Sequence, residues 1–518
     1  MAGQGSSPQL GVIAAGHPLT AQAGADVLRD GGNAVDAAVA AILASTVSEP
    51  LLTGLGAGGY MLVVAPGQEP VLLDFFVEAP GRGSDPAARE ELIPITVSFG
   101  DAIQVFNIGA ASVGTYGMPA GIHAAATRFG RMPLSELVAP AVRLAREGVE
   151  VNAQQGYVIE ILTDIVGSTP ECAALYAPEG VLCRTGDVIR QPDLADALER
   201  LAADGPDPFY TGDIAAATVE WVSERGGMLT AEDLEAYAVI DRKPIKVRYR
   251  GRDVMTNPPP SAGGILIARA LFWLDEEDAP PRVERIVEVM ERTQAERTPE
   301  FLAGLDDEEF VRRFLDSGRG GPGQAPGHGG SGQASLGSTT HIAVTDTEGW
   351  ACSVTCSNGS CSGVVVPGTG LHLNNMLGEQ DLNPLGFHHH PPGRRLPSMM
   401  APTVVLRDGV AELVLGSAGS NRIRSAILQT IARVIDEGLR ADEAVEAPRV
   451  HFEDGVVYAE PGVDMAALEA TGRPLARFRE RNLFFGGVQA VERDGQGAFW
   501  GGGDPRRGGA SITVTPDR

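Results

Sequence analysis

Apolar residues along the chain recur with two periods, and these set the expected elements. Residues 9–15, QLGVIAA, form a short apolar run that predicts a strand. HPLTAQAGADVLRDGG places Ala21, Gly24, Ala25 and Leu28 on one helical face and stops at a Gly-Gly pair. Asn33 then predicts an N-cap for AVDAAVAAILAST, with Asp36 in the first turn, where a carboxylate suits the positive helix end. Nearly every residue of that helix is small, so it can approach a sheet or another helix closely and is expected to be buried. Gly54, Gly56 and Gly59 match G-x-G-x-x-G, but the loop leaves a helix and enters a strand, the reverse of a phosphate site. A tight turn with close backbone approach is the reading preferred over nucleotide binding.

Helical spacing continues from Met118 to about Val151, punctuated by GMPAG and RMPLSE. PDLADALERLAADG and IAAATVEWVSERGG are two further amphipathic helices, and Thr230 with Glu232 and Asp233 reads as a helix start. KPIKVRYRGRDVMT predicts a strand pair turning at Gly251, and NPPPSAGGILIARALFWL a rigid turn feeding a helix. Residues 281–315 read as helical and exposed. A loose segment follows, RGGPGQAPGHGGSGQASLGSTT, within a tether spanning 316–338. Strands are expected beyond it at 340–345, 350–356, 362–366, 403–407 and 411–415. A helix is expected near 420–438, then a segment at 443–447, then closing strands near 455–459, 486–492 and 496–500. Strands and helices in blocks on both sides of the tether predict sheets sandwiched between helical layers.

Composition narrows the function classes. The 518 residues are 43% hydrophobic and 21% charged, as in a folded globular protein. The formal net charge of −26 argues against nucleic acid or an anionic membrane as partner, since both need a basic face. No basic stretch followed by an apolar run opens the sequence, and no uninterrupted apolar run is long enough to span a bilayer, so a cytoplasmic location is expected. Five cysteines (Cys172, Cys183, Cys352, Cys356, Cys361) show no small-scaffold spacing, which speaks against a disulfide framework. Cys352, Cys356 and Cys361 precede His388, His389 and His390, but the spacing fits no strong zinc pattern, and neither metal nor cofactor is expected. His341 reads as a structural strand histidine.

The tether ends at a hydroxyl residue, Thr339, at the mouth of a strand. A threonine whose own α-amino group is released by cleavage holds nucleophile and base in one residue. That amine has an ordinary pKa of about 7.7–8.0, so it can take the hydroxyl proton at neutral pH. A flexible preceding segment lets the Ser338–Thr339 peptide bend towards the hydroxyl and then leave.

At these residues the chain resembles the γ-glutamyltransferase family of N-terminal-nucleophile hydrolases. The resemblance covers almost the whole sequence. It is carried by AAGHPLTAQAGADVLRDGGNAVDAAVAA, GMPAGIHAAATRFGRMPLSELVAPAVRLAREGVEVN, PFYTGDIAAATVEWVSERGGMLTAEDLEAYAV, NPPPSAGGILIARAL, STTHIAVTDTEG, GVVVPGTGLHLNN, RRLPSMMAPTVV and LGSAGSNRIRSAILQ. It implies an α+β fold, a four-layer αββα sandwich with two antiparallel sheets between helical layers. It also implies one precursor cut into a large segment, 1–338, and a small one, 339–518, which stay associated in one unit; a homo-oligomer is left open. Thr339 takes the place of the nucleophile and Ser357 that of its supporting hydroxyl, usually Thr. Gly419 and Ser420 take the place of the Gly-Gly oxyanion donors. Asn374 and Asn375 match the family's LNN, Glu379 its acidic residue for the α-amino group, and Ser398 the first of two carboxylate-binding serines.

The substrate end departs from the family. Phe76 stands where an Arg would grip the α-carboxylate, and Met399 where the second serine would be. SNGSCSG is about two residues shorter than usual. An Arg–carboxylate pair is among the stronger polar contacts, so its loss predicts a weak preference for standard γ-glutamyl groups. The alternatives are a less polar or glutaryl-like acyl group, or an arginine borrowed from Arg82, Arg394 or Arg395. The expected activity is cleavage of a small-molecule amide or peptide through an acyl-enzyme, with transfer to water or an amine. The competing class is a non-catalytic binding relative that kept the fold.

Overall fold

The helix of small residues, Ala34–Ser48, is buried along its entire length. Asn33 caps it as the sequence implies, and Asp36 closes the capping box. Its side chains are short enough to lie flat on a sheet, and it packs on the strands Thr339–Asp346 and Ala351–Ser357. The computed structural model describes residues 8–86, 89–98, 103–317, 338–383 and 386–516. Most of the expected tether, 318–337, lies outside the described residues.

Seven strands form the sheet under this helix. In spatial order they are Ala510–Val514, Gly11–Ala15, Thr339–Asp346, Ala351–Ser357, Gly58–Val64, Val71–Phe75 and Ile240–Arg242. Six more form a second sheet, in the order Phe499–Gly503, Gly487–Arg493, Val410–Ala418, Thr403–Arg407, Arg252–Thr256 and Ile245–Tyr249. Every neighbouring pair in both sheets is antiparallel. The two sheets pack face to face, with Thr339–Asp346 lying against Val410–Ala418. Helices Ala262–Leu274, Arg422–Ile435 and Ala441–Glu446 cover the outer face of the second sheet, while Pro18–Arg29 and Ala34–Ser48 cover that of the first. The result is the helix–sheet–sheet–helix order, as in an N-terminal-nucleophile hydrolase.

Strand alternation assigns each face. Ile342 and Val344 join the core under the helices with Val354 and Met61, whereas Ala343 joins the core between the sheets with Leu62 and Val12. By the same period Thr339 and His341 face the second sheet, and Thr340 faces the helical layer. The first sheet interleaves the two sides of the Ser338–Thr339 junction: Gly11–Ala15 pairs with Thr339–Asp346 on one edge and Ala510–Val514 on the other. Neither segment can complete this sheet alone.

Residues 281–315 are helical as expected but not exposed throughout. Helix Val283–Ala295 buries Ile286, Val287, Val289 and Met290 against Ala262–Leu274, because its apolar residues fall at i, i+3, i+4 spacing on one stripe. The expected strand at 362–366 shortens to Val365–Val366. Among the described residues no helix is long and apolar enough to cross a membrane.

Ile342 sits at the centre of the first sheet with its side chain fully in the helix-side core. Truncation to Ala is expected to cost about 2–5 kcal/mol, the range for removing a buried branched side chain. A clear fall in the midpoint of denaturant unfolding for Ile342→Ala checks this.

Candidate active site

Thr339 is the first residue of its strand and pairs with Ser357, the last residue of the neighbouring strand. Both are buried at the end of the inter-sheet space. Thr339 Oγ1 donates to Ser357 Oγ at 3.2 Å, and Ser357 Oγ donates to the Ser338 carbonyl at 2.7 Å. The Gly359 amide donates to Ser357 Oγ at 3.1 Å and fixes its position. One chain of hydroxyls thus runs from Thr339 to the carbonyl of the peptide that precedes it. Such a chain can accept the Thr339 proton and polarise that carbonyl together.

A cleft of about 400 Å³ opens over this chain. It brings together Phe76, Thr339, Ser357, Glu379, Ser398, Met399 and Ser420 from positions scattered across the sequence. Met376, Leu382, Met400 and Ile423 complete an apolar wall, and Asp381 adds a second carboxylate. Asp381 was not among the residues expected from the sequence; its signal was its place two residues beyond Glu379. Among the described residues no Lys, Arg or His lines the cleft. Burial and the neighbouring Asp381 push the Glu379 carboxyl up to about 7, partly offset by the Ser360 amide at 3.1 Å and by Asn375.

Gly419 and Ser420 occupy the turn between the strand ending at Ala418 and the helix beginning at Arg422. Amides just before a helix have no partner in its ladder and point outward along its positive end. Gly419 has φ +120° and Ser420 φ +51°. A Cβ at Gly419 would lie 2.9 Å from Gly486 Cα, so glycine is required there. Serine at a left-handed position costs roughly 1–2 kcal/mol. Ser420 is held by a short hydrogen bond from its Oγ to Asp381.

The two asparagines lie behind the cleft and do not line it. Asn374 Nδ2 donates to the carbonyls of Gly56 and Gly114, at 2.9 and 3.0 Å, and its Oδ1 accepts from Gly114 and Met376. Asn375 Nδ2 donates to Ser360 Oγ at 2.6 Å and its Oδ1 accepts the Ser360 amide at 2.8 Å. With its amide saturated by the scaffold, Asn374 acts on the site only through the loop carrying Glu379, whereas Asn375 also hydrogen-bonds the Glu379 carboxyl. Ser398 Oγ accepts from the Met400 amide at 2.9 Å.

Phe76 stacks on Tyr60 with ring centroids 5.2 Å apart, and an acidic cluster behind it takes up the arginines. Arg395 reaches the Phe76 carbonyl, Tyr237 and the Ala238 carbonyl, with Asp74 and Glu78 at 3.4 and 3.5 Å. Arg82 pairs with Asp233 and Glu78, and Arg394 with Asp306. None of the three lines the cleft, so the sequence expectation of a borrowed arginine is not met in this arrangement. His341 is buried against Thr355 Oγ1 at 2.8 Å, and burial lowers its pKa to about 3, which keeps it neutral. All five cysteines are free and buried. Among the described residues no group of three or more His, Cys, Asp or Glu is arranged to hold a metal.

Comparison with known proteins bears on this site. The family model for Gamma-glutamyltranspeptidase matches residues 20–514. The chain is 31% identical to the glutathione hydrolase proenzyme of Escherichia coli K12, over 96% of its own length and 90% of the relative's. It is 32% identical to the Acylase ACY 1 proenzyme of Pseudomonas sp. strain SE83, over 98% and 94% of the two chains. The crystal structure of cephalosporin acylase from Bacillus halodurans superposes with a TM-score of 0.81 at 26% identity, covering 99% of this chain and 97% of that one.

If Arg395 serves the acidic cluster and not a ligand, Arg395→Met takes one of two arginines from each of buried Asp74, which keeps Arg242, and Glu78, which keeps Arg82. The expected cost is about 1.5–3 kcal/mol, that of hydrogen bonds to charged groups lost from a cluster still partly neutralised. Thermal denaturation measures it; an unchanged midpoint would show that this guanidinium is free for other work.

Proposed function

Since the chain belongs to the gamma-glutamyltranspeptidase family, whose members are hydrolases and acyl transferases, we propose that it is a proenzyme that cuts its own Ser338–Thr339 bond and then uses Thr339 as an N-terminal nucleophile on amides. The observation that carries this is the hydroxyl chain from Thr339 through Ser357 to the Ser338 carbonyl. In the cut, Thr339 Oγ attacks the Ser338 carbonyl carbon and gives its proton up through Ser357. The C–N bond breaks, the nitrogen takes a proton, and an ester between Ser338 and Thr339 results. Water then cleaves the ester, leaving a Ser338 carboxylate and a Thr339 α-amine.

In turnover that amine takes the Thr339 hydroxyl proton as the oxygen attacks a substrate amide. The amides of Gly419 and Ser420 stabilise the oxyanion at the positive end of the helix Arg422–Ile435. The leaving amine takes the proton, and water or an acceptor amine removes the acyl group from Thr339. The relatives named glutathione hydrolase and acylase bracket this chemistry.

The acyl group is one without an α-carboxylate. A carboxylate entering a cleft lined by Glu379, Asp381 and apolar side chains meets like charge and, among the described residues, no cation. Leaving it unpaired costs roughly 2–5 kcal/mol. An apolar acyl chain suits Phe76, Met399 and Met400, and an amine on that chain suits Glu379. This favours an acylase for amino-bearing or neutral acyl groups over a glutaryl acylase.

Four measurements test the reading. The wild type is expected to run as two chains on a denaturing gel, with Thr339 at the new terminus, and Thr339→Ala as one. A single uncut band for both proteins alike favours the non-catalytic reading, and an active wild type that stays uncut overturns the N-terminal nucleophile. Ser357→Ala is expected to slow the cut on the order of 10²–10³-fold, as for loss of one oxyanion donor. Phe76→Arg is expected to raise the γ-glutamyl-to-alkanoyl ratio of kcat/KM for anilide substrates by about tenfold or more; no change would remove Phe76 from specificity. Because Glu379 must be ionised to hold an ammonium, KM for amino-bearing donors is expected to rise as pH falls through about 7, and KM for neutral donors to stay level.

A further inference from the structure

The face of the nucleophile strand turned away from the cleft carries a second arrangement. Thr340, on the helical side, donates from Oγ1 to Glu49 Oε2 at 2.7 Å. Thr20 donates to Glu49 Oε1 at 2.8 Å and contacts Ser48 Oγ at 2.9 Å. Glu49 caps the C-terminus of Ala34–Ser48 and is buried. Gly16 makes the space: a Cβ there would lie 2.3 Å from Glu49 Oε2 and 2.7 Å from Thr340 Oγ1. The turn that follows returns to the site, since the Leu52 carbonyl accepts from the Asn358 amide beside Ser357 at 3.0 Å. A cavity of about 570 Å³, walled by Val47, Leu51, Val158 and Ile159, opens onto Glu49.

The sheet explains why this contact matters. Gly11–Ala15 pairs with the nucleophile strand only as far as Ala15 opposite Ile342. Thr339, Thr340 and His341 therefore have a paired strand on one side alone, that of Ala351–Ser357. While the chain is uncut, the Ser338 peptide holds this end. Once it is cut, Thr339 is a terminus, and a terminus frays unless it is tied. The side-chain ties are Thr339 to Ser357 on one face, Thr340 to Glu49 on the other, and His341 to Thr355.

We propose that Glu49 is a positioning residue that clamps the nucleophile strand from behind through Thr340, and so sets the aim of Thr339 in both the cut and turnover. The proposal rests on Thr339 being the nucleophile. An ionised Glu49 accepts from Thr20 and Thr340 at once. A protonated one must donate to one of them and turn that hydroxyl, so the clamp is set by the ionised form. Burial pushes the Glu49 carboxyl up to about 7 despite the two hydroxyl hydrogen bonds. The other groups around it are His17, lowered by burial to about 4, Cys356, pushed well up by burial, Arg507, lowered by burial to about 10, and the hydroxyls of Ser48 and Thr20. Of these Glu49 is the one that changes charge near neutral pH.

The test measures the first-order rate of the cut in freshly made single-chain protein, and kcat and KM of the mature enzyme. Glu49→Ala and Thr340→Val are each expected to slow the cut and lower kcat by about tenfold, as for one lost hydrogen bond to a charged group, with KM unchanged. The double variant is expected to be no slower than either single one, and Thr340→Ser to restore the rate. Glu49→Gln is expected to remove the limb near pH 7 from the pH profile of the cut; Glu379 titrates in the same range, so Glu49's share is the part that Glu49→Gln takes away. Rates unaffected by both single variants, additive losses in the double variant, or a profile that Glu49→Gln leaves unchanged would overturn the proposal. If Thr339→Ala still cuts, the nucleophile reading fails instead; if Thr339→Ala is inert and the Glu49–Thr340 cycle is additive, only the clamp fails.

Discussion

One constraint organises the molecule: the end of a central strand must hold a hydroxyl against the carbonyl of its own preceding peptide. Thr339 is placed for this by pairing with Ser357 at the last register position of two buried strands. A surface loop could not hold the two groups so closely without a large entropic cost. Sheet pairing spreads that cost over residues that are ordered anyway. The layered fold follows from the need to bury both faces of this strand: small-residue helix Ala34–Ser48 on one side, the second sheet on the other. Interleaving of the two segments in one sheet would hold them together after the proposed cut at 338.

On the proposed function, specificity follows from charge placement more than from shape. The same acidic cluster that stabilises the strand end at Phe75 and its following loop, Asp74, Glu78 and Asp233, gathers Arg82, Arg242 and Arg395 away from the cleft. Among the described residues, two carboxylates, three serines and an apolar wall line the cleft with Thr339. Desolvation makes this difference large, because a buried carboxylate without a partner is expensive while an apolar chain is not. The backbone machinery is indifferent to this change. The proposed oxyanion donors are amides, and Ser420 is held at a left-handed φ with its side chain tied to Asp381.

Much of this was legible in the sequence, and the rest was hidden for identifiable reasons. Local signals were reliable: Asn33 with Asp36, Thr230 with Asp233, and the alternation after Thr339 all formed as read. The layer order came through the resemblance, since strand pairing between residues such as Gly11 and Val514 leaves no local trace. The helix at 283–295 reads as solvent-facing because charged residues are interspersed all along it, yet the apolar stripe decides burial. Asn374 and Asn375 looked like substrate ligands because a motif records which residues recur and not which way they point; their amides turn out to be taken up by the scaffold, Asn374's by the Gly56 and Gly114 carbonyls and Asn375's by Ser360 Oγ and the Asn107 carbonyl. Glu49 and Asp381 were missed because each acquires its meaning only from a partner distant in sequence, Thr340 and Ser420.

The most direct test of the central claim is to trap the intermediate that it requires. Freshly made single-chain protein is treated with hydroxylamine, which attacks esters and spares ordinary peptide bonds, and the fragments are weighed by mass spectrometry. Attack of Thr339 on its preceding carbonyl predicts faster cutting and a large fragment ending in a Ser338 hydroxamate. Cutting that hydroxylamine neither accelerates nor marks at Ser338 would mean that no ester forms there, and the hydroxyl chain would not be the machinery of the cut.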